Sequence, residues 1–149
     1  MRTHLIFAFG SNLDLAQMQA RCPSAKVVGL ATLPKHTLVF AGSSTLWNGA
    51  VAHVVRDPYG AVPGVLYRVS AQDLEVLDLF EGHPLKYRRR IRVVRDRRRR
   101  RRRAHVYILT APRAKPGAPS LEYLTQIVRA YRRLGFDHGP LLSAVREVA

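Results

Sequence analysis

Seven short runs along the chain alternate apolar with polar side chains or gather β-branched and aromatic ones: Leu5–Phe9, Val27–Leu33, Thr37–Ala41, Ala50–Arg56, Val62–Val69, Tyr87–Arg95 and Ala104–Thr110. That patterning predicts strands. Asp57-Pro58-Tyr59-Gly60, with Pro at its second position, predicts a turn that makes a hairpin of the two strands it separates. Helical segments are expected over Leu13–Arg21, from Ser70-Ala71-Gln72-Asp73 to about Phe80, from Leu121 to about Leu134, and as a short tail over Pro140–Val148. Ser70 and Asp73 have the spacing of a capping box, Gly82 ends that helix and Pro84 prevents its resuming. Ser120 and Gly135 bracket the next one in the same way, and Ala111–Pro119 is a surface loop. Many strands with a few interposed helices, and no regular βα alternation, predict an α+β domain around an antiparallel sheet or small barrel, a single domain over 1–149.

Charge changes this picture in one place. The 149 residues carry a formal charge of +15, yet 13 of the cations lie between Lys86 and Arg103, where only Asp96 opposes them. The remaining 131 residues carry just +3. This is a nearly neutral domain with one basic feature, a hairpin at about 87–110 made of Arg90–Asp96 and Arg98–His105 with its tip near Asp96-Arg97. The run Arg97–Arg103 could contact nucleic acid or another polyanion through phosphates, weakly and without reading bases. No aromatic residues interleave it for stacking, which favours a solvated hairpin. An apolar content of 47% excludes wholesale disorder. The longest N-terminal apolar run is too short for a membrane span or a signal-peptide core. The single Cys22 forms no internal disulfide, so a cytoplasmic protein is expected.

Two segments carry candidate chemistry. In LIFAFGSNL an apolar strand runs directly into Gly10-Ser11-Asn12 and a helical segment follows. Such a turn directs unpaired N–H groups, two short polar side chains and the positive end of a helix dipole at one point, where a carboxylate, phosphate or oxyanion is stabilised. In the second segment Leu74, Leu77 and Glu81 fall at i, i+3 and i+7, which puts Glu81 on a core-facing stripe. A carboxylate that loses solvation there has its pKa raised and is suited to moving a proton. The six histidines show no metal-ligand spacing, and no metal or other cofactor is expected. Ser11 lacks the G-x-S-x-G context of a nucleophile. His83, two residues from Glu81, could face the same pocket. Trp47 is expected either over the sheet or at the pocket rim. Tyr67 and Tyr107 read as core, and Tyr123, Ile127 and Tyr131 form one apolar helix face.

FGSNL after an N-terminal strand, then GVLYRVS leading into LEVLDLFEG, then a Tyr-Arg strand, together resemble the γ-glutamylcyclotransferase-like family over roughly Leu5 to Gly135. The resemblance implies a small mixed β-barrel with flanking helices and an enzyme that releases 5-oxoproline from a γ-glutamyl amine, amino acid or peptide. It implies that the segment Phe7, Ala8, Phe9, Gly10, Ser11, Asn12 and Leu13 holds the glutamyl group, that Glu81 is the acid/base residue, and that Tyr123 lines the pocket. The family commonly has Tyr where Phe9 stands, and the arginine run is foreign to it. The other reading is a non-catalytic member that binds nucleic acid or an acidic partner through the basic hairpin. Neither the departing amine nor the oligomeric state is specified by the sequence.

Overall fold

Five strands curl into a closed, mixed barrel whose interior takes the apolar side chains that the strand alternation sets apart. The computed structural model describes residues 2–149. Strands β1 (Thr3–Ala8), β2 (Lys26–Ser44), β3 (Gly49–Ser70), β4 (Tyr87–Asp96) and β5 (Arg101–Leu109) are ordered β1-β3-β2-β4-β5 around it. Neighbours are antiparallel except where Ile6 of β1 meets His105 of β5 in parallel. Helices α1 (Leu15–Arg21), α2 (Ala71–Glu81), α3 (Leu121–Leu134) and α4 (Gly139–Glu147) flank the barrel. Ile6, Phe7, Leu33, Phe40, Leu66 and Val106 are buried in one apolar cluster, joined by Leu77 of α2, Ile127 and Tyr131 of α3 and Leu141 of α4. Among the described residues, no helix is long and apolar enough to cross a membrane.

The α+β barrel matches expectation, but three local predictions need correction. The residues Asp57–Gly60 do not reverse the chain. β3 runs through them, pairing Arg56 with His36 on one side and Ala61 with Pro34 on the other, so they bulge outward opposite Lys35. Asp57 Oδ1 accepts the Tyr59 N–H at 3.0 Å, which gives the local bend its turn-like composition. The four expected strands on either side of the bends at Pro34 and Asp57 are therefore two long strands. Register shifts near Val27, Pro34 and Ala41 let this pair curve around the barrel. Second, the helix expected from Leu13 starts only at Leu15. Ser11–Leu13 form a separate 3-10 turn, and the Asp14 side chain caps α1 by accepting the Ala16 N–H at 3.1 Å. Third, β5 starts at Arg101 instead of Arg98, because Asp96 Oδ1 accepts both Arg98 N–H and Arg100 N–H at 2.9 Å and holds 97–100 as a turn.

The Ser70 capping box forms as predicted, Ser70 Oγ accepting the Asp73 N–H and Asp73 accepting the Ser70 N–H. At the other end Gly82 adopts φ 69°, where a side chain would be strained, and its N–H closes on the α2 carbonyls. Ser120 caps α3 by accepting the Tyr123 N–H at 3.2 Å. β2 and β4 pair only at Ala31–Asp96 and Thr32–Arg95, then separate.

Candidate functional site

The end of β1 and the 3-10 turn form one wall of a cavity of about 180 Å³. Leu13 N–H and Asp14 N–H turn back to the carbonyls of Gly10 and Ser11, at 3.0 and 3.1 Å. Among the described residues, no protein acceptor takes the N–H of Gly10, Ser11 or Asn12. The carbonyls of the same turn are held from behind. Gln126 Nε2 donates to Ser11 O at 3.0 Å, the Tyr67 hydroxyl to Asn12 O at 2.8 Å, and Arg133 Nη2 to Leu13 O at 3.1 Å. Gln17 Nε2 donates to Ser11 Oγ and Asn12 Oδ1, and Arg21 Nη1 also reaches Asn12 Oδ1. The donors therefore come from the 3-10 turn itself, while at the N-terminus of α1 the Asp14 side chain takes the Ala16 N–H.

Glu81 enters from the opposite side. Leu74 and Leu77 bury the preceding turns of α2, which brings the last residue of the helix to the cavity between Arg21, Phe80 and Lys86. Protein surrounds its carboxyl, though some solvent contact remains. Burial pushes its pKa up to about 7, against the opposing pull of the Arg21 and Lys86 charges. Arg21 lies over the Phe80 ring at 4.3 Å and forms no ion pair with Glu81. Asp78, one helical turn earlier, meets a different fate. Burial alone would raise it, but hydrogen bonds from Arg89 and from the Tyr107 hydroxyl, the latter 2.7 Å long, hold it below the ordinary carboxylate range. Its two oxygens take the Arg89 fork at 2.6 and 3.1 Å, which ties α2 to the β4–β5 hairpin. Two carboxylates with pKa values driven apart are the pattern of a structural anchor beside a proton-transfer group.

The third wall is aromatic. The Tyr123 hydroxyl accepts the Ala52 N–H at 2.8 Å, leaving its own proton free for another acceptor. The Tyr87 hydroxyl donates to Ala52 O at 2.9 Å, so two tyrosines grip one residue of β3. Burial raises both phenols, which stay protonated at neutral pH. Trp47 packs edge-on to Tyr123 with ring centres 5.1 Å apart. A Cβ on Gly10 would lie 3.1 Å from both Ala52 Cβ and the Tyr123 oxygen, so the missing side chain is what lets the turn approach the tyrosine.

Phe7, Ala8, Phe9, Gly10, Ser11 and Asn12 thus line one cavity with Glu81 and Tyr123. Leu13 does not line it; its side chain is buried in the core. His83 is not in the wall either, since its Nδ1 accepts the Arg89 N–H at 3.1 Å. Of the two places expected for Trp47, the cavity wall is the one it occupies, and Tyr107 lines the cavity as well. Arg21, Lys86 and Tyr87 were not legible as site residues. Arg21 already had an ordinary role as a cation in the last turn of a helix, and Lys86 and Tyr87 come to the cavity only through barrel closure.

Residues 6–125 match the family model described as gamma-glutamyl cyclotransferase, AIG2-like. The chain belongs to that family. Human gamma-glutamylcyclotransferase is 35% identical over 82 residues, covering 52% of this chain and 44% of the human protein. The bovine gamma-glutamylcyclotransferase is 34% identical over the same length and shares. These matches span less than half the length of the relatives. A solved gamma-glutamyl cyclotransferase superposes with a TM-score of 0.85 at 25% identity, over 99% of this chain and 89% of that one. A gamma-glutamyl cyclotransferase specific to glutathione from yeast has the same fold, with a TM-score of 0.66 at 14% identity over 99% and 97% of the two chains. The gamma-glutamyl cyclotransferases are a family of enzymes.

Proposed function

We propose that this member cyclises the γ-glutamyl group of a small amine, amino acid or peptide to 5-oxoproline, with Glu81 as general base and then general acid. The observation that carries this reading is the convergence of Glu81, its pKa raised to about 7, with the unpaired N–H groups of Gly10–Asn12 on one cavity.

The substrate's α-amine attacks its own γ-carbonyl carbon. Glu81 takes the proton that the attacking nitrogen must lose, and a C–N bond forms. The bond to the departing amine then breaks as Glu81 returns the proton to that nitrogen. No water is consumed, and the products are 5-oxoproline and the free amine. Tethering nucleophile and carbonyl in one folded chain can remove about 7–11 kcal/mol of barrier, provided the site enforces the ring-closing conformation. The turn N–H groups supply donors for anionic oxygen, and the Tyr123 hydroxyl supplies another.

The test is release of 5-oxoproline from a panel of γ-glutamyl amino acids and γ-glutamyl amines, with N-acetylated versions as controls. Glu81→Gln is expected to lower kcat by about 10²–10⁴-fold, the range of general acid–base catalysis, with the fold intact. In the parent protein the acid limb of kcat/KM should centre near pH 7, because the base must be ionised. Equal turnover by Glu81→Gln, or turnover of the N-acetylated substrates, would overturn the mechanism.

A further inference from the structure

The cyclotransferase cavity leaves most of the chain's positive charge unused. Beyond Thr32 and Arg95, where β2 and β4 separate, a second cleft of about 470 Å³ opens. Its charged wall consists of Lys35, Arg56, Arg92, Arg95 and Arg101, with His36 beside them. None of these residues lines the first cavity. Tyr87 at the start of β4 belongs to that cavity, and Arg92–Arg95 lie five to eight residues further along, roughly 16–27 Å at strand spacing.

No carboxylate lines the cleft. Among the described residues the ion pairs join Arg89 to Asp78 and both Arg100 and Arg102 to Asp96, so no cleft cation is neutralised. Arg92 is the most exacting case. Its Nη1 donates to Ile91 O at 3.1 Å, while its buried Nε has no hydrogen-bond partner among the described residues. Buried donors in native proteins are normally satisfied. Burial, followed by the charges of Arg56 and Arg90, lowers its pKa. Arg95 gives Nη1 to Arg99 O at 3.2 Å, and His36 Nδ1 lies 2.9 Å from Pro34 O.

We propose that the cleft between β2 and β4 binds a small ligand carrying consecutive phosphate groups, with Arg56, Arg92, Arg95 and Arg101 as the principal contacts. Guanidinium forks match phosphate oxygens bidentately and stay charged when partly desolvated. Several cations distributed around a cleft of this size suit a chain of phosphates better than one tetrahedral ion. The lining offers no Phe, Tyr or Trp on which a base could stack, so recognition is of the phosphates. A small ligand is favoured over a nucleic-acid strand because Arg97–Arg100, the projecting turn a strand would meet, lie outside the cleft.

Calorimetric titration of the full chain with sodium tripolyphosphate at about 0.15 M salt, where exposed charges are screened, tests this. One saturable site is expected, about tenfold or more tighter than for orthophosphate. Arg56→Gln/Arg92→Gln should weaken it about tenfold or more, and the exposed Arg95→Gln about threefold, each still unfolding in one cooperative transition. Replacement of Arg97–Arg99 by Ser should leave it within about twofold. An ATP arm identifies the source: affinity equal to that of tripolyphosphate assigns the site to free oligophosphate, and tighter binding assigns it to a nucleotide. Non-saturable titration overturns the proposal, as does affinity unaffected by the cleft substitutions. Loss in the Arg97–Arg99 variant instead would overturn it in favour of a polyanion at the turn. Release of 5-oxoproline is expected to be unchanged in all these variants, so failure here is separable from failure of the cyclotransferase reading.

Discussion

Asp78 and Glu81 stand one turn apart on the same helix, yet one is held acidic by Arg89 and Tyr107 and the other is pushed up to about 7 by burial. Glu81 was legible because Leu74 and Leu77 precede it at core spacing. The partners that separate its fate from that of Asp78 come from β4 and β5, and no local pattern announces them. Tyr131 shows the opposite sort of burial: its hydroxyl lies in the core with no partner among the described residues. An unsatisfied buried hydroxyl costs about 1–3 kcal/mol. Tyr131→Phe is therefore expected to stabilise the protein by about 1 kcal/mol, read as a higher urea midpoint with unchanged slope.

Elements are most legible in the sequence where their ends carry their own hydrogen-bonding chemistry. Ser70, Asp73 and Gly82 specify both ends of α2 locally, and the helix begins and stops as they dictate. Ser70→Ala removes the acceptor for the Asp73 N–H and should cost about 1 kcal/mol, measurable as a lower urea midpoint. Asp57-Pro58-Tyr59-Gly60 has the composition of a chain reversal, but composition specifies only a bend, while pairing with β2 on both sides decides whether the strand continues. Asp14 divided an expected helix for a related reason: a short acidic side chain that can accept the Ala16 N–H makes a better start than an interior residue. The arginine-rich strands formed the expected hairpin, with Asp96 organising its turn.

Closure of the barrel is the step that assembles the site, and it is the least legible from sequence. It brings Trp47 after β2, Lys86 before β4 and Tyr123 on α3 to the turn after β1. The same enclosure sets a global cost for Glu81. The unfolded glutamate titrates near 4.5 and the folded one near 7, so the folded chain holds the extra proton between those values, and stability falls as pH rises through that window. Glu81→Gln carries no such proton. It should match the parent below about pH 4 and exceed it above pH 7 by about 1–3 kcal/mol, discounted for the carboxyl's residual solvent contact, in urea unfolding at the two pH values. The ties behind the Gly10–Leu13 turn have a further consequence for the molecule as a whole. Ser11 O, Asn12 O and Leu13 O are each secured by a side chain from β3 or α3, which fixes the orientation of the peptide groups in the loop. If these donors serve the substrate carboxylate as proposed, the folding of the barrel preorganises them, and the ligand need not supply the entropy of arranging its own receptor.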